Sequence, residues 1–171
     1  MKIFILLLLS LNAWSANTTC TDELAGLPIL ARGRLKPLAV HAHETMKYLT
    51  GKSSVKQNGK KVSALNAFCL LSWESVGGET FSLSTRIEHM KSQELLGETS
   101  MSLDQLYEVR TEVRRGLMGE KLNTPFKKDL TKLLNKAQLY QQVKQGQNWM
   151  LYRDGSWVPF ANFMNNPPED F

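Results

Sequence analysis

The sequence predicts a mainly α protein of the α+β kind: a single helical domain with a minor strand and a C-terminal β-hairpin. Three observations predict it. Apolar residues recur at helical spacing in four stretches, within 38–49, 65–73, 103–113 and 130–143. Strand-like alternation is confined to 80–87. Asp154-Gly155 lies between two apolar and aromatic runs, a strong short-range hairpin signal.

Taken in order, Pro28 and Gly33 punctuate an extended approach, and Pro37 opens a first helix over 37–50. Leu38, His41, Ala42, Thr45, Met46 and Leu49 share one face of that helix, and Gly51 stops it. The polar stretch 52–61, KSSVKQNGKK, reads as a turn or loop around Asn58-Gly59. Ser63 is the N-cap of a second helix, whose Leu65, Phe68, Cys69, Leu71 and Trp73 crowd most of its surface. That helix is expected to be largely buried, and Gly77-Gly78 ends it.

Phe81, Leu83, Thr85 and Ile87 then alternate with polar neighbours as one strand. A short helix over 92–96 closes at Gly97. Ser102 with Gln105 three residues on is a capping-box pattern and starts a helix running to 115. Thr124-Pro125 begins the longest helix, 125–144, with Leu130, Leu133, Leu134, Ala137, Tyr140, Gln141 and Val143 along its stripe and lysines on its outer face. No internal repeat is visible.

The first residues read as an address. Lys2 precedes an unbroken apolar run over 3–9, and Ala13 and Ser15 stand where signal peptidase reads small residues. This predicts a cleavable signal peptide over 1–15 and an exported chain in the periplasm or another extracytoplasmic space. Cys20 follows Asn17-Thr18-Thr19, which is not a lipoprotein signal. The richest later apolar stretch, 64–73, is about half of the ~20 residues a spanning helix needs, so no transmembrane segment is expected in the mature chain. The expected partition is a signal peptide over 1–15, an irregular segment over 16–26, one globular domain over 27–163 and a tail over 164–171.

The formal net charge of +5 is mild and contains no long block of one sign, so composition does not argue for nucleic acid. Cys20 and Cys69 are a candidate disulfide in an oxidising compartment; alternatively, Cys69 is a small core residue of its helix. Their spacing makes neither a CxxC redox site nor a metal site.

Leu27-Pro28-Ile29, then Gly33-Arg34-Leu35-Lys36-Pro37-Leu38, then Leu49-Thr50-Gly51-Lys52 form a pattern. It resembles the extracytoplasmic region of bacterial System II cytochrome c biogenesis proteins, membrane machines that carry haem outward and attach it to apocytochromes. Weaker similarity continues through Glu94-Leu95-Leu96-Gly97, the Ser102 helix start and Trp157. The chain departs from the family at Ala39-Val40, where an Asp-Thr pair is common, and at His43, which replaces an arginine. The family's membrane helices have no counterpart here. The resemblance therefore implies a detached accessory domain that assists cytochrome c maturation by binding a membrane-bound assembly protein.

Arg34 and Lys36 flank Leu35 in an extended segment, so their side chains share one side of the chain. With Pro37 they are the candidate partner- or anion-binding residues, suited to a carboxylate pair, a haem propionate or an acidic loop. The competing reading has Arg34 satisfying backbone carbonyls or paired with a domain carboxylate such as Glu44. His41 and His43 are the candidate haem ligands. Two residues apart on a helix project about 200° apart, so they do not chelate one metal ion; His41 falls on the apolar stripe and His43 off it.

No GxSxG, SxxK or papain-like cysteine context supports nucleophilic catalysis, and no glycine framework cradles phosphates. The chain is read as a non-enzyme that needs no cofactor. A periplasmic haem or small-ligand carrier is the alternative, and an unrecognised cell-envelope enzyme the third reading. Trp149, Tyr152, Trp157, Phe160 and Phe163 form either a docking surface or core against the long helix.

Overall fold

The computed structural model describes residues 20, 22–57, 59–78, 80–118 and 124–166; the expected signal peptide over 1–15 lies outside them. Four times the chain builds the same unit, two short antiparallel strands followed at once by a helix. The first is β1 (Pro28–Ala31), β2 (Arg34–Pro37) and α1 (Leu38–Thr50), and the second is β3 (Ser54–Gln57), β4 (Lys60–Ser63) and α2 (Ala64–Trp73). The third, β5 (Ser84–Arg86), carries the short helix α3 (Met90–Leu96) before β6 (Ser100–Ser102) and α4 (Leu103–Glu108). After α5 (Arg110–Leu117) and α6 (Thr124–Lys144), the fourth is β7 (Met150–Arg153), β8 (Ser156–Pro159) and α7 (Phe160–Asn165).

Local chemistry explains why the unit recurs. Arg32 and Gly33 both have positive φ (52° and 71°), as do Asp154 and Gly155 (49° and 82°). Two successive left-handed residues make the tight turn whose twist matches the strands it joins. The last residue of each second strand, Pro37, Ser63, Ser102 or Pro159, stays extended and is the N-cap of the helix that follows. Each pairs across its hairpin with the first residue of the partner strand, Pro28, Ser54, Ser84 or Met150. The repetition lies in backbone geometry, and the units share little beyond a turn glycine and a proline or serine at the cap.

Ser63 accepts from Asn66 N, and Ser102 and Gln105 form the full reciprocal capping box predicted for them. Replacing Ser102 with alanine is expected to cost about 1 kcal/mol of stability, measurable by urea unfolding.

The fold class is corrected as well. Helix occupies 57% and strand 22% of the described residues, with seven α-helices and three small sheets, so the protein is α+β and not a helical domain with one minor strand. Strands of three or four residues are too short to show period-two alternation. The stretch 52–61, read as a loop, is the β3–β4 hairpin, and the approach at 28–37 is the β1–β2 hairpin. The largest sheet has the order β2-β1-β7-β8; β3–β4 and β5–β6 stand as separate pairs. Segment limits also move. Residues 22–26 of the irregular stretch form a 3-10 turn, and α7 runs into the expected tail, where Met164 packs on the core.

The core lies between α1, α2, α4 and α6. α1 buries Leu38, His41, Ala42, Thr45, Met46 and Leu49, the same stripe that helical spacing predicts. Across from it are Phe68 and Leu71 of α2 and Leu130, Leu133 and Tyr140 of α6, all buried; each large apolar side chain buried contributes on the order of 1.5–3 kcal/mol. The helix expected from 102 to 115 is divided at Val109 into α4 and α5. No helix among the described residues is long and apolar enough to cross a membrane.

Candidate functional site

β2 is an edge strand, and it carries the segment singled out by sequence. Arg34 and Lys36 do share a side, because they pair with Ala31 and Ile29, both buried. They do not form a two-cation clamp. Lys36 Nζ lies 2.6 Å from Glu44 Oε2 on α1, and that hydrogen bond holds the Glu44 carboxyl below its usual range. The carboxylate proposed for Arg34 is therefore taken by Lys36, while among the described residues no carboxylate pairs with Arg34. Pro37 is exposed at the strand end.

Leu35 is 63% exposed on the opposite face of the sheet. It pairs with Leu30, which in turn pairs with Met150 of β7. Tyr152, two residues along β7, is 62% exposed and meets the Trp157 ring edge-on at 5.3 Å. Partnered residues and residues two apart share a face, so Leu35, Leu30, Met150, Tyr152 and Trp157 form an apolar strip on one face of the sheet, exposed at Leu35 and Tyr152 and half-buried at Leu30 and Met150, which lie beside Leu139 and Gln142 of α6.

The aromatic cluster divides. Tyr152 and Trp157 belong to this strip. Trp149 and Phe160 are buried and stacked, their centroids 4.5 Å apart. Phe160 meets Trp73, and Trp149 meets Phe68, so the inner half packs on α2.

The two histidines separate as their positions on α1 predict. His43 is exposed. His41 is 2% exposed, packs edge-on against Phe68, and has Nε2 3.1 Å from Asn148 Nδ2. Burial, reinforced by the nearby Lys36 and Arg32 charges, lowers its pKa to about 4. The imidazole is neutral near pH 7 and its Nε2 is engaged, which does not present it as an axial haem ligand. Among the described residues no cluster of His, Cys, Asp or Glu is arranged to hold a metal ion.

Cys20 and Cys69 are joined in a disulfide, with Cα atoms 5.9 Å apart. The bond ties the segment before β1 to α2 and forms part of the wall of a pocket of about 360 Å³. β1 and β7 are bridged at Leu30–Met150; Leu27, Pro28, Leu151 and Tyr152, away from that bridge, line the pocket, and Trp73, Phe160 and Phe163 enclose it.

No match is found among family models, curated proteins or solved structures.

A third polar cluster is structural. Asp104 accepts from the Tyr140 hydroxyl at 2.7 Å and pairs with Lys144 at 2.9 Å, and Lys144 also pairs with Glu74 at 3.0 Å. Burial raises the Asp104 carboxyl, but the bonds from Tyr140 and Lys144 outweigh it and hold the group ionised. Burial and the adjacent Asp104 push the Tyr140 phenol up. With each charge engaged by a fixed partner, the cluster cross-links α4, α6 and the turn after α2. Lys136 of α6 is buried and donates to Thr85 Oγ1 at 2.6 Å.

Sequence reasoning missed the pocket and the continuity of the strip. Trp73, Trp149 and Phe160 were visible as aromatics; the β7–β8 hairpin brings Trp149 to Phe160, but their meeting with Trp73 depends on packing against α2, which is far away in the chain.

Proposed function

We propose that this chain is an exported accessory domain that assists cytochrome c maturation by docking on a membrane-bound haem-delivery and assembly protein. The observation that carries the proposal is Leu35, exposed on the edge strand β2 beside the unpaired Arg34, within the segment that resembles the System II proteins. An exposed edge offers backbone hydrogen-bonding groups to a partner strand. The apolar strip continues the contact across the sheet, and Arg34 supplies a charge for an acidic loop. Export is supported by the composition of 1–15 and by a disulfide of the kind that persists in oxidising compartments.

The test is recovery of assembly proteins from envelope membranes with the purified chain as bait. Arg34→Glu together with Leu35→Asp is expected to reduce recovery at least about ten-fold, roughly 1.4 kcal/mol of binding, and to lower cytochrome c when the variant replaces the wild type in cells. Both side chains are exposed, so the unfolding midpoint should stay unchanged. Equal recovery and equal cytochrome c with the folded double variant would sink the proposal.

A further inference from the structure

The pocket beside the disulfide shares only Tyr152 with the docking surface, and its chemistry points elsewhere. Its volume of about 360 Å³ lies within the range of small-molecule sites. Among the described residues no charged side chain lines it, and Trp73, Trp149, Phe160 and Phe163 supply aromatic walls. A charged guest would give up its hydration there without finding a counter-charge; the propionates of a haem would meet the same cost.

Two of the lining residues carry an unsatisfied polar atom. Ser72 and Trp149 are 1% and 4% exposed, and neither Ser72 Oγ nor Trp149 Nε1 has a hydrogen-bond partner among the described residues. Leaving a buried polar group unpaired costs about 1–3 kcal/mol. The indole N–H is a donor only, and the serine hydroxyl can donate, so the missing complement is an acceptor oxygen. We propose that this pocket binds a neutral lipophilic small molecule, a ring or chain bearing a carbonyl- or ether-type oxygen. The apolar body lies against the tryptophans and phenylalanines, and the oxygen accepts from Ser72 or Trp149. Leu24 and Leu27, which follow the Cys20–Cys69 bond in the chain, also line the pocket.

The full chain is titrated with the neutral dye N-phenyl-1-naphthylamine, and bound dye is displaced by three competitors. They are benzophenone, the matching hydrocarbon diphenylmethane, and 4-benzoylbenzoate, which adds a carboxylate. Dye binding is expected to saturate at one site, with the ketone about five-fold tighter than the hydrocarbon, as one net hydrogen bond implies, and the carboxylate weakest. Ser72→Ala or Trp149→Phe should remove the preference for the ketone. Leu24→Trp, at a half-buried position, should fill the pocket and abolish dye binding with the circular dichroism unchanged. The proposal is overturned if the folded chain binds no dye saturably, if Leu24→Trp binds like the wild type, or if the carboxylate competes as well as the ketone. It is equally overturned if neither Ser72→Ala nor Trp149→Phe alters the preference, or if dye binds only after residues 1–15 are removed, which would make that segment the occupant.

Discussion

Replacing Cys20 and Cys69 together with alanine is expected to lower the free energy of unfolding by about 4 kcal/mol, the chain-entropy value for a loop closed across 49 residues. The loss is large against the ~5–15 kcal/mol by which single domains are stable. It also has a local side. The bond anchors the chain ahead of the 3-10 turn at Asp22–Gly26, and Leu24 and Leu27 pack on the core from there. Urea unfolding of the oxidised chain, the reduced chain and the double-alanine variant measures the effect. The reduced chain and the variant should agree with each other and fall well below the oxidised protein; coincidence of all three curves would show that the two sulfurs do not restrain the fold.

Acid should destabilise the protein through His41. Its folded pKa is about 4 against 6.5 for the ordinary group, with burial as the largest cause and the Lys36 and Arg32 charges next. Between those values the unfolded chain binds a proton that the folded chain refuses. Stability is therefore complete above pH 6.5 and is lost as pH falls toward 4, by about 3 kcal/mol over the whole window. Between pH 7 and pH 5 the loss should be about 2 kcal/mol. His41→Gln, a neutral side chain able to keep a bond to Asn148, should flatten that interval. The depressed carboxyls of Glu44, Glu88 and Asp104 act at still lower pH, since their contribution is lost only as those groups protonate. A wild-type stability that stays level from pH 7 to pH 5 would contradict the buried neutral imidazole.

Features that depend on neighbours along the chain were legible. The buried stripe of α1 follows from residues three and four apart meeting on one side of a helix, and the structure buries all six predicted positions. Ser63 and Ser102 cap their helices through bonds three residues long. Asp154-Gly155 turns its hairpin because both residues accept positive φ. Arg32-Gly33 makes the same turn, but the adjoining strands are so short that Lys36 and Pro37 read as the run-up to a helix.

The candidate site shows where such reading ends. Alternation correctly put Arg34 and Lys36 on one side of the strand, yet which of them meets Glu44 depends on the angle at which β2 feeds α1, and Lys36 is the one within 2.6 Å. Likewise, the apolar strip exists because β1 and β7, more than a hundred residues apart, meet at Leu30 and Met150. Nothing local to either strand encodes that register.

The sequence by itself determined α1, α2, α3 and α6, the caps at Ser63 and Ser102, the C-terminal turn and the two faces of α1, with His41 inward and His43 outward, because each is an interaction within a few residues. Only the tertiary structure decided the rest. It brought Cys20 to Cys69, where sequence left pairing and burial equally open, joined the hairpins into a four-stranded sheet, and gathered Leu24, Ser72, Trp149 and Phe160 around one pocket. The physical reason is the same in each case: packing of apolar faces selects one arrangement among many that local preferences allow.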